Sequence, residues 1–140
     1  GELFVKKNDL GDDVIPSANS VLCELLLKHS FYFEKHEWRE IALGMLQNIR
    51  SQVLQGPAWY SNWLSAAMLV DSGINQLTVV GNSETIFKGI YLPNTILASP
   101  CSEIPLSAEK LEAKDGFYIC RDFECFAPET DYARTVERLY

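Results

Sequence analysis

The amino-acid sequence predicts an α+β fold, in which an array of helical hairpins precedes a small α/β lobe with a short, partly parallel sheet. Apolar residues recur at helical spacing from Pro16 to about Ser72, whereas short β-rich runs separated by Gly and Pro follow from Gln76. A length of 140 residues suits one ordinary domain. We therefore divide the chain into a helical segment, residues 1–73, and an α/β lobe, residues 74–140, within one compact unit.

The helical segment is predicted to contain three helices. Ser17 is a suitable N-cap for the first helix, because its hydroxyl can accept a hydrogen bond from a free amide of the first turn. Gly56-Pro57 and Ser72-Gly73 are typical of helix ends and bound the second and third helices. The expected spans are residues 17 to about 30, 37 to 53 and 59 to 70. Links this short favour antiparallel neighbours.

The lobe is predicted to contain three strands and two helices. The strands are expected at residues 76–81, 95–98 and 117–120, and the helices at 83–91, with Ser83 as cap, and 131–139, capped by Thr130 or Asp131. A strand, a Gly turn, a helix and another strand follow in that order, so at least two of the strands should be parallel. Val79 and Ile119 are expected at buried, central strand positions.

Charge and hydropathy exclude several partners. The chain has 12 basic and 19 acidic residues, a net charge of −7, and its basic residues are scattered, so we expect no nucleic-acid partner. No apolar run approaches the roughly 20 residues that cross a bilayer, and we expect no membrane partner. Gly1 stands where a Met is usual, and we interpret it as an expression remnant on a fragment of a longer protein.

The cysteines predict a reduced, cytoplasmic protein. Cys23 lies in an apolar helical run and is expected to be buried. Cys120 and Cys125 are separated by four residues and lack the second ligand pair that a zinc site needs, so we expect no metal and no cofactor. We interpret Cys120 as a core-facing strand residue and Cys125 as a turn residue, both free thiols. The alternatives are a redox pair or two ligands of a shared metal.

Four motifs carry a resemblance to a known family. They are residues 12–21 (DDVIPSANSV), 77–81 (LTVVG), 91–94 (YLPN) and 118–128 (YICRDFECFAP). In this order and spacing, the chain resembles the C-terminal region of the thioredoxin-domain-containing proteins of the spermatogenesis-associated type. That family joins a thioredoxin-like domain to a helical α/α toroid similar to N-acylglucosamine 2-epimerase, so the resemblance implies that the helical array is part of such a toroid.

Several residues are candidates for ligand binding. Ser17, Asn19 and Ser20 can form the edge of a polar pocket at a helix start, and the alternative is that they only cap and bond locally. Asp13, with Asp12, can form an acid–base pair, although we favour a role in complementing the positive end of the helix. Trp59 can stack on a sugar face, but aromatic residues at helical spacing are usually core. No catalytic residue is identified.

We therefore expect a non-catalytic part of a toroid whose full-length form acts on a carbohydrate-like small ligand. Its expected partners are the missing N-terminal part of the same protein, a small-molecule ligand and a second copy of the chain. Self-association is expected through an apolar strip that draws on Leu26, Phe31, Phe33, Met45 and Trp59. The alternative is a thiol-based redox or protein-interaction module that uses Cys120 and Cys125.

Overall fold

The structure is a computed structural model that describes residues 9–81 and 86–140, and it confirms the α+β class. The described helices are α1 (Ala18–Tyr32), α2 (His36–Gln55), α3 (Ser61–Ser72), α4 (Pro105–Ala108) and α5 (Tyr132–Leu139), with a 3-10 turn at Pro57–Trp59. The described strands are β1 (Asn75–Val80), β2 (Thr95–Ala98), β3 (Gly116–Arg121) and β4 (Glu124–Cys125).

The three predicted helices of the first segment are confirmed. Ser17 caps α1, since its hydroxyl oxygen accepts a hydrogen bond from the amide of Ser20 at 3.1 Å. Cys23, Leu27 and Phe31, spaced four residues apart on one face of α1, are all buried. Helix α1 packs against both α2 and α3, so these side chains form the centre of the helical layer.

The four strands form one mixed sheet in the order β2-β1-β3-β4. Strand β1 pairs parallel with β2, from Asn75 opposite Thr95 to Thr78 opposite Ala98. It pairs antiparallel with β3, and β3 pairs antiparallel with β4. The predicted partly parallel sheet is therefore confirmed, with β1 and β3 at its centre.

The central strand β1 is buried along its whole length, and its two faces differ in chemistry. Leu77 and Val79 belong to a hydrophobic cluster with Ile119 of β3 and Leu139 of α5. The alternate residues Gln76 and Thr78 point to the opposite face. There Cys120 of β3 joins a second hydrophobic cluster that contains Cys23, Phe31 and Trp63 of the helices. The sheet thus lies between the helical layer and α5.

One local prediction in the lobe is wrong in its described part, and two short elements were not predicted. The helix predicted at 83–91 is not formed in its described part, because residues 86–89 form turns and Gly89 has a φ of 83°, which interrupts a helix. Ser83 lies outside the described residues. Strand β4 and helix α4 were not predicted, because two and four residues are too few for a periodic pattern.

Ile119→Ala should lower the free energy of unfolding by about 2–4 kcal/mol, since it removes a buried side chain and leaves a cavity. Ile119 is 2% exposed on β3. Leu97→Ala on β2 is the matched control, because Leu97 is 50% exposed and should change stability by less than about 0.5 kcal/mol. Urea denaturation measures both; equal losses would contradict the position of Ile119.

Candidate functional site

A buried carboxylate joins the starts of two helices. Asp12 Oδ1 accepts hydrogen bonds from the Ser17 amide at 2.8 Å and from the Ser20 hydroxyl at 2.6 Å. Asp12 Oδ2 accepts from the amides of Asn62 at 2.8 Å and Trp63 at 3.3 Å. These amides belong to the first turns of α1 and α3, where backbone donors lack helical partners. One side chain therefore satisfies free donors of both helices.

The segment before α1 is held in place by further hydrogen bonds. The Asp12 amide donates to the carbonyl of Trp59 at 2.7 Å, and the Trp63 indole donates to the carbonyl of Leu10 at 2.7 Å. The Asn62 side-chain amide donates to the Ser20 hydroxyl at 3.1 Å. Asp12 is consequently surrounded by donors whose own positions are fixed.

The environment of Asp12 lowers its pKa. Burial raises the pKa of the carboxyl group, because it disfavours the charged form, but the hydrogen bonds from Ser20, Ser17, Asn62 and Trp63 together outweigh burial and hold the pKa below the ordinary 3.8. Asp12 is only 4% exposed. A carboxylate that is ionised at neutral pH and accepts four hydrogen bonds is suited to structural support rather than to proton transfer.

The candidate residues near the start of α1 are separated by the fold. Ser17 and Ser20 are buried and bonded within the Asp12 network. The Asn19 side-chain amide donates to the carbonyl of Asp9 at 3.1 Å, whereas Asp13 is exposed. The sequence did not predict a role for Asn62, because no residue near Asn62 indicates that the start of α3 contacts Asp12.

Trp59 is not a core residue. Its side chain is 63% exposed, while Trp63 is 2% exposed and buried in the helical layer. The helical spacing of the two aromatics predicted burial for both, but α3 begins only at Ser61 and Trp59 belongs to the 3-10 turn before it. The Trp59 ring is therefore free of the α3 face and accessible to a ligand.

A polar cleft of about 580 Å³ lies where α1 and α3 meet the segment before β2 and the end of α5. Tyr91 and Tyr140, both largely exposed, line it, and the Tyr140 hydroxyl donates to the carbonyl of Tyr91. Lys28 and Glu24, which also line the cleft, form an ion pair with 2.5 Å between Lys28 Nζ and Glu24 Oε1. None of the predicted ligand-binding residues lines this cleft, whose other members are Asn62, Ser65, Met68, Leu69, Ser72, Pro93, Asn94 and Leu139.

An apolar groove of about 410 Å³ separates α2 from α3. Its lining is Leu46, Gln47, Ile49, Arg50, Val53, Leu54, Trp63, Leu64 and Ala67. Leu54 is 73% exposed and Leu64 is 37% exposed. Exposed apolar side chains in a groove of this kind form a surface on which another apolar element can pack.

Cys120 and Cys125 form a disulfide, so the prediction of free thiols is wrong. Cys125 was assigned to a turn, whereas it lies on β4 directly opposite Cys120 of β3, with 3.9 Å between their Cα atoms. In the next pair outward, the Phe126 amide donates a hydrogen bond to the Ile119 carbonyl at 2.9 Å. The cysteines thus occupy the alternate kind of pair, which brings side chains closest together.

The turn of the β3–β4 hairpin explains why the sequence did not predict that Cys120 pairs with Cys125. Its two central residues, Asp122 and Phe123, have φ values of 47° and 71°, as in a type I′ turn. Asn-Gly or Asp-Gly usually marks this turn, and a Phe at the second position gives no such signal. A two-residue turn places Arg121 opposite Glu124 and, one step further, Cys120 opposite Cys125.

The other two cysteines are free thiols. Burial and the nearby charge of Glu24 raise the pKa of Cys23 to about 11, so this fully buried thiol is inert. Among residues 9–81 and 86–140, no group of His, Cys, Asp and Glu is arranged to hold a metal ion. Within the same residues, no helix has both the length and the apolar character that a membrane span requires.

No protein-family model, no curated protein and no solved structure matches this chain.

Asp12→Asn should lower the free energy of unfolding at pH 7 by about 2–4 kcal/mol, because it replaces an oxygen acceptor by a donor that faces buried amides. The loss should shrink at acid pH. A lowered pKa stabilises the folded protein above the unfolded pKa, and this stabilisation disappears as the pH falls through the folded value. Denaturant unfolding at several pH values measures both effects.

Asp13→Asn is the matched control for this experiment. Asp13 is adjacent and exposed, so its substitution should change stability by less than about 0.5 kcal/mol at any pH. Equal effects of the two variants, or a loss in Asp12→Asn that does not depend on pH, would contradict the assigned role of Asp12.

Proposed function

We propose that the chain is a non-catalytic part of a larger protein, in which α1–α3 complete a helical α/α toroid like that of N-acylglucosamine 2-epimerase. The motifs of residues 12–21 and 118–128 support this proposal through their resemblance to the thioredoxin-domain-containing family. The observation that carries it is the apolar groove between α2 and α3. In a closed ring of helices, a groove of this kind receives the neighbouring helix of the preceding part.

Two features support a structural rather than a catalytic role. The polar residues at the start of α1 are used in the Asp12 network, so Ser17 and Ser20 have their hydrogen-bonding groups engaged. Asp13 stands exposed, apart from this network.

The gene sequence upstream of the segment that encodes this chain tests the family resemblance. A thioredoxin-like region with a CxxC motif supports the proposal, and an unrelated sequence contradicts it.

Without the preceding part, the groove should cause self-association of the chain. Of the strip expected from the sequence, Phe31 is 2% exposed and is excluded, Trp59 is 63% exposed, and no member lines the groove. Leu64→Lys should abolish self-association, because it places a charge in the groove. In analytical ultracentrifugation, the weight-average molar mass of this variant should no longer increase with protein concentration. Met68→Lys is the control: Met68 is 67% exposed on the same helix but lies outside the groove. A monomeric wild-type chain at every concentration would contradict this use of the groove.

We further propose that the full-length protein acts on a carbohydrate-like ligand held in the polar cleft. The cleft is suited to an uncharged polar molecule. It presents neutral amides, hydroxyls and two exposed tyrosines, and the charges of Lys28 and Glu24 in its lining neutralise each other in an ion pair. N-Acetylglucosamine at about 1–10 mM should therefore shift the NMR signals of residues in the cleft.

Two single-ring variants locate the ligand. Tyr91→Ala should weaken binding of N-acetylglucosamine by about two- to tenfold, the value of one aromatic contact. Trp59→Ala removes the exposed ring that the sequence favoured and should leave binding unchanged. The reverse result would move the ligand to the 3-10 turn, and no shift with either protein would contradict a ligand site in this chain.

The disulfide favours a second candidate function, a thiol-based redox module. Cys120 and Cys125 already form the bond that such a module makes and breaks, and Cys125 is exposed, so one sulfur of this bond is accessible to a thiol. The sequence predicts a cytoplasmic protein, and the reducing conditions of that compartment would open this bond. Alkylation of the native protein without reductant, followed by mass spectrometry, tests this candidate: the two cysteines must escape modification.

A further inference from the structure

We propose that the Cys120–Cys125 disulfide is a reducible latch, attacked by a thiol at the Cys125 sulfur, which holds Phe123 of the hairpin turn against the link between α1 and α2. The proposal rests on the second candidate function and specifies its chemistry and its structural effect. It combines three observations: the unequal exposure of the two cysteines, the left-handed turn between them, and the ring contacts of Phe123.

The two sulfurs differ in access. Cys120 is 1% exposed and packs in the hydrophobic cluster of the helical layer, whereas Cys125 is exposed on the edge strand β4. Thiol–disulfide exchange depends on which sulfur the incoming thiolate can reach. The geometry therefore makes Cys125 the attacked sulfur and Cys120 the leaving group.

The reaction with a small dithiol is balanced as follows. A thiolate of the dithiol attacks Cys125, the Cys120–Cys125 bond breaks, and its electron pair leaves with the Cys120 sulfur, which takes up a proton. The second thiol of the reductant then displaces Cys125 from the mixed disulfide. The protein gains two free thiols, and the dithiol is oxidised to a cyclic disulfide.

Phe123 connects this bond to the helical layer. Its ring centre lies 4.9 Å from that of Phe31 at the end of α1 and 4.8 Å from that of His36 at the start of α2. Its φ of 71° is unfavourable for a residue with a Cβ atom. The disulfide closes the hairpin around this turn, so it limits the escape of Phe123 to a more favourable backbone conformation.

Beyond β4, backbone hydrogen bonds hold the chain to β3, from the Phe126 amide to the Ile119 carbonyl and between Phe117 and Glu129. β4 itself is two residues long, so an open disulfide leaves the part of the hairpin on the turn side of these bonds able to separate. Phe123 would then leave Phe31 and His36. Reduction at one edge of the sheet thereby loosens the connection between α1 and α2.

Glutathione tests the site of attack in the full chain. Incubation of the oxidised protein with reduced glutathione, acid quenching and peptide mapping should place the mixed disulfide on Cys125, with Cys120 free. An adduct on Cys120 would overturn the proposal while leaving a redox disulfide intact. Free Cys120 and Cys125 in the protein before any thiol is added would overturn both the proposal and the second candidate function.

Hydrogen exchange tests the latch. Reduction with dithiothreitol should speed amide exchange in residues 30–36 by about two- to tenfold, the effect of losing one aromatic contact on local opening. Unchanged exchange in these residues on full reduction would overturn the proposal. Cys101→Ser, which removes the other partly exposed thiol, should respond like the wild type.

Phe123→Ala separates the latch from a general loss of stability. In the oxidised variant, residues 30–36 should already exchange at the faster rate, and reduction should add nothing further. A continued response to reduction would show that Phe123 does not transmit the change and would overturn the proposal. The glutathione mapping on the wild-type protein decides the chemistry even if this variant does not fold.

Discussion

The arrangement of the helical layer depends on the carboxylate of Asp12. Its four hydrogen bonds tie the first turn of α1 to the first turn of α3, whose Asn62 lies 50 residues after Asp12, so neither helix can shift without leaving a buried charge short of hydrogen-bond partners. The cost of such a loss exceeds that of most single contacts. Because Trp63 is both a donor to Asp12 and a central core residue, the polar network and the hydrophobic packing fix the same geometry. The face of α1 that packs the core, from Cys23 to Phe31, follows from this anchoring.

The sheet repeats this combination of polar and apolar restraints at its centre. Leu77 and Val79 pack towards α5, whereas Gln76 and Thr78 bond to Ser107 of α4 at 3.0 Å each. A polar group buried within a core needs a defined partner, so this triad determines which face of β1 meets α4. On the other side of the sheet, Arg121 donates to Asn75 at 2.6 Å and to the carbonyl of Arg138 at 3.0 Å, which attaches the end of α5 to the two central strands.

Periodicity and caps in the sequence were sufficient for the long elements, because their signals are local. Ser17 and Gly56-Pro57 mark helix ends whatever lies around them, and the apolar alternation of β1 and β3 is independent of their partners. The Asp12 network could not be predicted, since it joins residues far apart in sequence. The β3–β4 hairpin was missed for a different reason: Asp122 and Phe123 both adopt left-handed conformations, and a Phe residue disfavours this conformation. The disulfide was missed with the hairpin that creates it.

Phe123 shows why the local preference is overridden. Glycine at this position would relieve the backbone but would remove the ring that packs on Phe31 and His36. The turn also approaches the end of α3 closely: Gly73 has a φ of 76°, and a Cβ atom there would lie 2.7 Å from the Asp122 carboxylate. The hairpin is thus fitted between the α1–α2 link and the α3–β1 link, and its conformation is set by those neighbours and by the disulfide rather than by its own sequence. A turn supported in this way from outside is sensitive to the loss of any one support, and the disulfide is the support that chemistry can remove reversibly.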